Sequence, residues 1–434
     1  MDSGCFDSKQ TELLSLLKQV NISQLDGYDI SRLLFNETGA ALKACRSTAF
    51  KKLIRTVFFN KFELKLADKA GSDLPLLVTF DYKRKDHTQY WQRFKDIVGD
   101  FNELKVWEKG VKKLKSPGAA ISTFSDYRKI KKALSSVNDR NVRCILSTKL
   151  AELIRAKRNL ESFTIANRAA FIFFDGNSLE NLIVQYLKIQ GITVATMQHG
   201  QPVFHGMDRD RINQTMILNF SSDYIMVTGE FSKKQFMLGG IGEDRIFIGG
   251  SLRKINPVSE ASQNNFALFL DCPTNPNSER DNMELIGCAE KIGRLLNLRY
   301  LIKCHPQDDP INYQSIKLEY GEFAAKCIGI GEVLKNKAFG ILHASGVYLD
   351  VLAAGIKAFC YVNDTFFPLV EAGMDSFSST DELKDKIQNW NAFDPVEKYN
   401  YMSKIIDYYL SPKDVEDRYR DFVKRLTINQ PMER

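Results

Sequence analysis

The sequence predicts an α/β protein with two doubly wound parallel sheets and a helical extension at its N-terminus. Short apolar runs alternate with longer segments in which apolar residues recur every three or four positions, a pattern typical of parallel βαβ units. This alternation occurs twice, before and after a polar segment at 256–265 that contains Pro257 and several serines and asparagines. A length of 434 residues also favours two cores over one. We therefore expect two domains.

The expected organisation has four segments. They are a helical N-terminal extension at 1–70, a first Rossmann-like domain at 71–255, a second at 256–410, and a C-terminal helix at 411–434. The extension is predicted as amphipathic helices over 11–66, because its leucines repeat at helical spacing, as at Leu13, Leu14 and Leu17.

Each domain has its own predicted strands and helices. In the first domain we predict strands at 74–80, 144–146, 170–174, 192–197, 223–227 and 245–248, with a basic helical region after the first strand and helices at 178–190 and from residue 231. In the second we predict strands at 266–270, 300–303, 339–342 and 358–362, and helices at 279–296, 346–354 and 380–390, followed by the C-terminal helix at 415–426.

The positive charge is concentrated in one region. Residues 105–158 contain 15 lysines and arginines against four acidic residues, whereas the whole chain carries a net charge of +7. Such a region suits an anionic partner: a phosphorylated acceptor, an acidic polymer or a membrane surface. A solvated helical face is the alternative interpretation.

Composition indicates a cytoplasmic protein. No signal-peptide pattern begins the sequence, no apolar run approaches ~18 residues, and the eight cysteines include no CxxC pair. A peripheral position at the inner face of the membrane is a second possibility that the basic region leaves open.

Four of the five histidines lie in loops that follow predicted strands. Parallel sheets bind ligands at the carboxyl ends of their strands. His199 lies there between Gln198 and Gly200, where a neutral imidazole could act as a general base. The glycine allows close approach of a substrate to the backbone. A loop histidine that only binds backbone groups is the alternative.

The second domain presents two such loops. Lys303 ends a strand and is followed by His305-Pro306, and a histidine with a nearby lysine suits a phosphate group. His343 begins the other loop, in which Ser345-Gly346 precede a helix whose N-terminal N–H groups favour an anion. Ordinary βα turns would also account for both.

Three further strand-end loops carry candidate residues. Gly250-Ser251 follows the predicted strand at 245–248, Asp81 and Arg84 follow the strand at 74–80, and Glu230 follows the strand at 223–227. Glycine turns alone would explain the loop at 249–251 and the loop at 228–230.

The order of these motifs resembles a known group of enzymes. Gln-His-Gly after a strand, then Lys-x-His-Pro, then a serine loop before an alanine-rich helix and Gly-Ile-Lys, resembles bacterial surface-polysaccharide transferases of GT-B fold. These include the CDP-glycerol glycerophosphotransferases of teichoic acid synthesis and capsule glycosyltransferases such as polysialyltransferases. The resemblance covers about 175–364. It departs from those families at residues 198, 252 and 344, where they have tryptophan, proline and serine.

The resemblance implies a function and roles for residues. We expect a GT-B glycosyltransferase that moves a sugar or polyol phosphate from a CMP-, CDP- or UDP-linked donor to an anionic glycan or lipid-linked acceptor. His199 would be the catalytic base in the acceptor-side domain (71–255). His305 and Ser345, with Lys303, Pro306 and Gly346, would bind the donor in the second domain. Gly250 and Ser251 would also bind the donor, and Asp81, Arg84, Gln198, Gly200 and Glu230 would lie on the acceptor side.

We expect no obligatory metal and no cofactor other than the activated donor. A non-hydrolysing nucleotide-sugar epimerase of the same fold is an alternative, since those enzymes also have a Ser-Gly loop followed by an acidic residue, here Asp350. A protein that binds an anionic polymer without catalysis is a third possibility. Nucleic acid is not an expected partner, because the basic region has few aromatic residues for base stacking.

Overall fold

The computed structural model describes residues 3–59, 62–67, 73–80, 85–107, 114–198, 200–204, 206, 214–256, 265–272, 278–313, 315–343, 345–363 and 375–428. The chain divides into two compact units. Unit 1 comprises Met1–Val227, Lys233–Gly249 and Glu416–Arg434, and unit 2 comprises Thr228–Ser232 and Gly250–Val415. No helix within the described ranges is long and apolar enough to cross a membrane.

Unit 1 contains a sheet in the strand order β1-β3-β2-β4-β5-β6-β7. The strands are β1 (Glu63–Ala67), β2 (Leu76–Phe80), β3 (Asn102–Trp107), β4 (Ala169–Ile172), β5 (Thr193–Met197), β6 (Tyr224–Val227) and β7 (Ile246–Ile248). All pairings are parallel except that of the edge strand β1 with β3. The central strand β4 is buried along its whole length, as expected for a parallel sheet covered on both faces.

Unit 2 contains a second sheet, entirely parallel, in the order β10-β9-β8-β11-β12-β13. Its strands are β8 (Asn265–Phe269), β9 (Arg299–Lys303), β10 (Gly321–Phe323), β11 (Phe339–Leu342), β12 (Lys357–Tyr361) and β13 (Ser376–Phe377). The predicted α/β class with two doubly wound sheets is therefore confirmed.

The helices of the described residues follow in chain order: α1 (Ser3–Lys18), α2 (Ile30–Leu33), α3 (Phe35–Leu42), α4 (Arg46–Phe58), α5 (Lys85–Val98), α6 (Pro117–Ala133), α7 (Arg140–Leu160), α8 (Ser178–Ile189), α9 (Thr215–Leu218), α10 (Glu230–Leu238), α11 (Ser278–Leu296), α12 (Ile330–Leu334), α13 (Val347–Ala353), α14 (Thr380–Ala392), α15 (Pro395–Leu410) and α16 (Val415–Ile428).

The N-terminal helices share the hydrophobic core of unit 1. Leu13 and Leu17 of α1 belong to the same buried cluster as Val78 of β2 and Leu182 of α8. Both leucines lie on one side of α1, because four residues make slightly more than one helical turn. Helices α3 and α4 pack on α7, and α2 packs on α8. Burial of this apolar face, more than helix propensity, therefore stabilises the N-terminal helices.

Two predictions about this region are wrong. The predicted strand at 144–146 lies inside α7, whose apolar residues recur at helical spacing over 21 residues and whose N-terminus is capped by the side chain of Asp139. The predicted helical segment at 11–66 ends earlier than expected, because Leu64 and Leu66 alternate with exposed residues in β1. Strands β1, β3, β10 and β13 were not predicted.

Candidate functional site

The strongest candidate site lies at the carboxyl edge of the sheet in unit 2. After β8 the chain builds β9 and β10 on one side and β11 to β13 on the other, so the direction of winding reverses between β8 and β11. Ligands of doubly wound folds bind in the crevice at such a switch point. Phe269, Lys303 and Leu342 lie in one row across the sheet, so the loops after these three strands begin level with one another.

An aspartate and a histidine follow the two strands at this switch point. Asp271 comes two residues after β8 and His343 directly after β11, and both are almost completely buried. The Nδ1 atom of His343 lies 3.9 Å from Oδ2 of Asp271. The other carboxylate oxygen of Asp271 accepts the backbone N–H of Cys272 at 2.7 Å. Two titratable side chains thus meet where a ligand of this fold is expected.

A chain of hydrogen bonds holds Asp271 in position. Its backbone N–H donates to the side-chain oxygen of Asn282 at 2.9 Å, and the amide nitrogen of Asn282 donates to the hydroxyl of Tyr313 at 2.9 Å. Tyr313 in turn donates to Asp308 at 2.5 Å. Burial and the neighbouring Asp308 raise the pKa of Tyr313, which keeps its hydroxyl protonated and able to donate. This network connects the loops after β8 and β9.

His305 lies in the loop after β9 in a fixed orientation. Its Nδ1 accepts the backbone N–H of Gln307 at 3.2 Å, and its carbonyl accepts the N–H of Asp308 at 2.9 Å. Because Nδ1 acts as an acceptor, the proton of the neutral ring resides on Nε2. His305 can therefore donate a hydrogen bond from Nε2 to an anion.

Cys304 precedes this histidine but is not a thiolate. Burial, followed by the negative charge of Asp308, raises the pKa of Cys304 to about 12. The thiol is therefore neutral near pH 7 and is not a candidate nucleophile.

The hydroxyl of Ser345 makes a hydrogen bond within the loop after β11. Its Oγ accepts the N–H of Val347 at 3.3 Å, so it satisfies a donor at the start of α13. The residue at the N-cap position of α13 is Gly346. Helix α13 has only seven residues, so its dipole is a minor part of any anion binding here.

Lys303 and Pro306 do not join this group. The ammonium of Lys303 donates to the carbonyl of Lys326 at 3.0 Å and to that of Ala325 at 3.5 Å. These carbonyls follow β10, on the opposite side of β9 from the switch point. Pro306 is exposed.

Gly250 and Ser251 lie beside helices of unit 2. Ser251 is buried, its N–H donates to the carbonyl of Leu410 at 2.7 Å, and its hydroxyl accepts the N–H of Arg253 at 3.1 Å. Arg253 forms an ion pair of 2.7 Å with Asp350 of α13. These contacts support the interpretation of the loop at 249–251 as a structural turn. They also show that Asp350, the acidic residue after the Ser345-Gly346 loop, is in an ion pair.

Glu230 is exposed in the first turn of α10. The preceding Thr228 donates to the carbonyl of Tyr409 at 2.9 Å. A Cβ at Gly229 would lie 2.5 Å from the carbonyl oxygen of Tyr408, so only glycine allows this approach. The loop at 228–230 is thus explained by its packing on the end of α15.

The sheet of unit 1 has its own switch point, between β2 and β4. Val78, Ile172 and Thr196 form one row across the sheet, and three residues after each along the chain come Asp81, Asp175 and His199. His199, Asp81 and Arg84 lie outside the described residues. Their proposed roles remain predictions.

The neighbours of His199 in the sequence lie at the end of β5. Gln198 is buried, and its amide nitrogen donates to the carbonyl of Gly200 at 2.6 Å. Gly200 has φ = 72°, a conformation that favours glycine. The described part of the Gln-His-Gly loop is therefore held by its own side chain.

Asp175 is a buried carboxylate at the carboxyl edge of the unit 1 sheet. Its Oδ2 accepts the N–H groups of Ser221 and Ser222 at 2.9 and 2.8 Å, as well as the hydroxyl of Ser222 at 2.8 Å. Burial raises the pKa of Asp175, and these hydrogen bonds oppose the rise. They bring the turn before β6 against the end of β4.

Helix α3 reaches the same loop. Asn36 donates to the carbonyl of Gly176 and to the side chain of Asn177, both at 3.2 Å, and accepts the hydroxyl of Thr215 at 2.8 Å. The N-terminal helices thus support the loop that follows β4.

Sequence reasoning missed part of the unit 2 site. Asp271 directly follows the apolar run predicted as a strand, so its position was a usable signal. The contributions of Asn282, Tyr313 and Asp308 had no such signal, because they depend on side chains that only the folded chain brings together.

Comparison with known proteins supports the fold. No family model matches the sequence, and no curated protein matches it. Among solved structures, S. aureus MnaA in complex with UDP has a TM-score of 0.51 and 9% identity, over 83% of this chain and 99% of that one. A UDP-GlcNAc 2-epimerase from Neisseria meningitidis bound to UDP-GlcNAc has a TM-score of 0.47 and 11% identity, over 82% and 100% of the two chains.

A variant of S. aureus TarM solved with UDP has a TM-score of 0.42 and 12% identity, over 64% of this chain and 59% of that one. At such identities a likeness to a solved structure establishes the fold alone, and the likeness to MnaA extends over nearly all of that protein. The chain accordingly has two Rossmann-like domains of the GT-B fold class, as the sequence predicted.

Proposed function

We propose that this protein is an enzyme that processes a nucleotide-activated sugar and that unit 2 binds the nucleotide. One observation carries the proposal: three loops that contain titratable side chains follow adjacent strands at the β8/β11 switch point, and Asp271 and His343 are buried there 3.9 Å apart. MnaA, which shares the fold, was solved with UDP, and this supports UDP as the nucleotide.

The histidine and the aspartate of the site suit different parts of a nucleotide. His305 would donate from Nε2 to a phosphate oxygen, because its Nδ1 already accepts the N–H of Gln307. A carboxylate repels a phosphate, so Asp271 would accept hydrogen bonds from hydroxyl or N–H groups of the nucleoside. The hydrogen bonds through Asn282 to Tyr313 would keep the backbone of Asp271 in place, and the N–H of Cys272 would orient its carboxylate.

The first candidate reaction is epimerisation of the sugar. The Ser345-Gly346 loop followed by the acidic Asp350, which non-hydrolysing nucleotide-sugar epimerases also have, supports it, as does the fold shared with MnaA, which was solved with UDP. No carbonyl acidifies a ring carbon of the sugar, so a base can remove its proton only as UDP leaves the adjacent anomeric carbon with the electron pair. Return of a proton to the opposite face and re-addition of UDP then complete the inversion. We assign the base to His199, since a neutral imidazole suits that step.

Transfer of the sugar to an acceptor is the second candidate. It is favoured by the series of motifs at 198–200, 303–306 and 345–346, which resembles that of surface-polysaccharide transferases. His199 would then remove the proton of an acceptor hydroxyl on an anionic or lipid-linked glycan. His305 would stabilise the charge that develops on the leaving phosphate.

The two reactions are separable in one assay. We expect UDP-GlcNAc incubated with the protein in D₂O, without acceptor, to form a second sugar nucleotide that carries deuterium at the inverted carbon, detected by proton NMR. A transferase would instead release UDP only when an acceptor is added. His305→Ala should slow either reaction, whereas Lys413→Ala on the exposed surface should not. Absence of both reactions with CMP-, CDP- and UDP-linked sugars would contradict the proposal.

A further inference from the structure

Helix α4 exposes a row of large apolar side chains. Phe50, Ile54 and Phe58 are spaced four residues apart and therefore lie on one side of the helix. Their exposed fractions are 62%, 39% and 49%. The opposite side of α4 is buried, at Ala49 and Thr56. A row of exposed apolar side chains of this kind indicates a contact surface, whereas single exposed apolar residues do not.

Helix α6 extends this surface. Ile121 and Phe124 of α6 are 70% and 45% exposed, and Leu114, which precedes the helix and pairs with Phe59, is 70% exposed. Helices α4 and α6 contact each other and both pack on α7, so their sides turned away from α7 form one continuous surface. Lys115 fixes the arrangement, because its ammonium donates to the carbonyl of Thr56 on α4 and to Thr123 on α6.

We name this surface the α4–α6 face. It consists of the apolar residues Phe50, Ile54, Phe58, Leu114, Ile121 and Phe124 together with the exposed basic residues Lys51, Arg55, Arg128, Lys129 and Lys132.

The charge of the α4–α6 face is entirely basic. Helix α4 contains four basic and no acidic residues. The one acidic residue of α6, Asp126, is buried and forms an ion pair of 2.7 Å with Arg158 of α7. Within the described part of the chain, none of the five basic residues of the face forms an ion pair with a carboxylate. Their charge is available to an external anion.

The structure also redefines the basic region seen in the sequence. Many residues of α7 are buried, including Leu146, Leu150 and Ile154, so this helix is a support inside unit 1. Helix α4 lies outside 105–158 but contributes basic and apolar residues to the same surface. The exposed basic surface is therefore formed by α4 and α6 rather than by the whole basic segment.

We propose that the α4–α6 face docks on a membrane surface that contains anionic phospholipids. A bilayer takes up both features of the face, since apolar side chains enter the boundary between headgroups and acyl chains while basic side chains lie among the anionic headgroups. A soluble polyanion would bind the charges but would leave Ile54, Leu114 and Ile121 in water. This inference is independent of the reaction assigned to the protein.

A second copy of this chain fits the face poorly. In a twofold dimer the same face meets itself, so Lys51, Arg55 and Arg128 of both subunits would be brought together without carboxylates between them. Charge complementarity therefore favours the anionic bilayer over self-association.

The test is co-sedimentation of the full chain with vesicles. We expect binding to phosphatidylcholine vesicles that contain 30% phosphatidylglycerol, and little binding to pure phosphatidylcholine, because anionic headgroups attract the basic residues. The combined variant Phe50→Ser, Ile54→Ser, Ile121→Ser should weaken binding about tenfold or more through loss of buried apolar area. All three positions are at least 39% exposed, so the fold should be retained.

The charge contribution is tested separately. Replacing Lys51, Arg128 and Lys132 by glutamine should weaken binding to the anionic vesicles by about 100-fold, since each basic residue near such a surface contributes about fivefold. Matched controls lie in exposed positions elsewhere: Leu295→Ser with Val396→Ser for the apolar change, and Lys413→Gln with Lys424→Gln for the charge. These controls should bind like the unmodified protein.

Three outcomes would overturn the proposal. The first is equal binding of the unmodified protein and both face variants to the anionic vesicles. The second is binding to soluble polyphosphate together with vesicle binding that the three serine substitutions do not affect, which would indicate a polyanion site. The third is a dimer in size-exclusion chromatography that the serine substitutions dissociate, which would assign the face to self-association.

Discussion

His199→Ala is expected to lower turnover of the nucleotide sugar by about 10²–10⁴-fold, the usual contribution of a general base. The proposed step needs a neutral imidazole, so the turnover of the unmodified protein should rise with pH and level off once this ring has lost its proton. Alanine removes the acceptor nitrogen altogether. The measurement is kcat at saturating UDP-GlcNAc, followed by NMR across a pH series.

Two controls separate catalysis from binding. UDP affinity should change little in His199→Ala, because the nucleotide is proposed to bind unit 2. His199→Asn can hydrogen bond but cannot accept the proton, so it should fail nearly as badly. An asparagine variant with nearly full turnover would restrict His199 to a positioning role, and the base would then have to be sought at Asp81 or Glu230.

Asp375→Ala is expected to lower the free energy of unfolding by about 3–5 kcal/mol, because it leaves a buried ammonium without its carboxylate. Lys357 begins β12 and is 2% exposed, and its ammonium donates to Asp375 and, at 3.1 Å, to the hydroxyl of Tyr401. Tyr348 also donates to Asp375, at 3.0 Å. The change should appear in urea unfolding as a lower midpoint.

The matched control is an exposed ion pair. Lys335 and Glu332 are each 67% exposed, so Glu332→Ala should change the free energy of unfolding by less than about 1 kcal/mol. The double variant Lys357→Met, Asp375→Leu removes both buried charges and should recover most of the stability lost in Asp375→Ala. A double variant as unstable as the single one would show that packing around the pair, rather than the isolated charge, causes the loss.

The sequence predicts the sheet of unit 2 well because parallel strands are buried on both faces and appear as continuous apolar runs. Strands β8, β9, β11 and β12 all lie within a few residues of their predicted positions. This reasoning fails for the edge strands β1 and β10, in which partly buried residues alternate with exposed ones. The error at α7 has a related cause, since a short apolar run in a buried helix is indistinguishable from a strand by composition alone.

Prediction of the site was limited by side-chain direction. The sequence identifies the loop of His305, but it does not reveal that the ammonium of Lys303 reaches the carbonyl of Lys326. Nor does it reveal that Asp271 is supported from α11 through Asn282. Likewise, the four-residue spacing of Phe50, Ile54 and Phe58 would ordinarily predict a core-facing stripe, and only the packing of α4 on α7 shows that the row faces outward.

The central claim is that the switch point of unit 2 binds the nucleotide. The most direct measurement is the Kd of UDP by isothermal titration for His305→Ala compared with Lys303→Ala. We expect His305→Ala to weaken UDP binding about 10- to 100-fold, the contribution of a hydrogen bond to a charged group. Lys303→Ala should leave the Kd within about twofold, because its ammonium binds backbone carbonyls. An unchanged Kd in His305→Ala, or an equal loss in both variants, would contradict the assignment of the site.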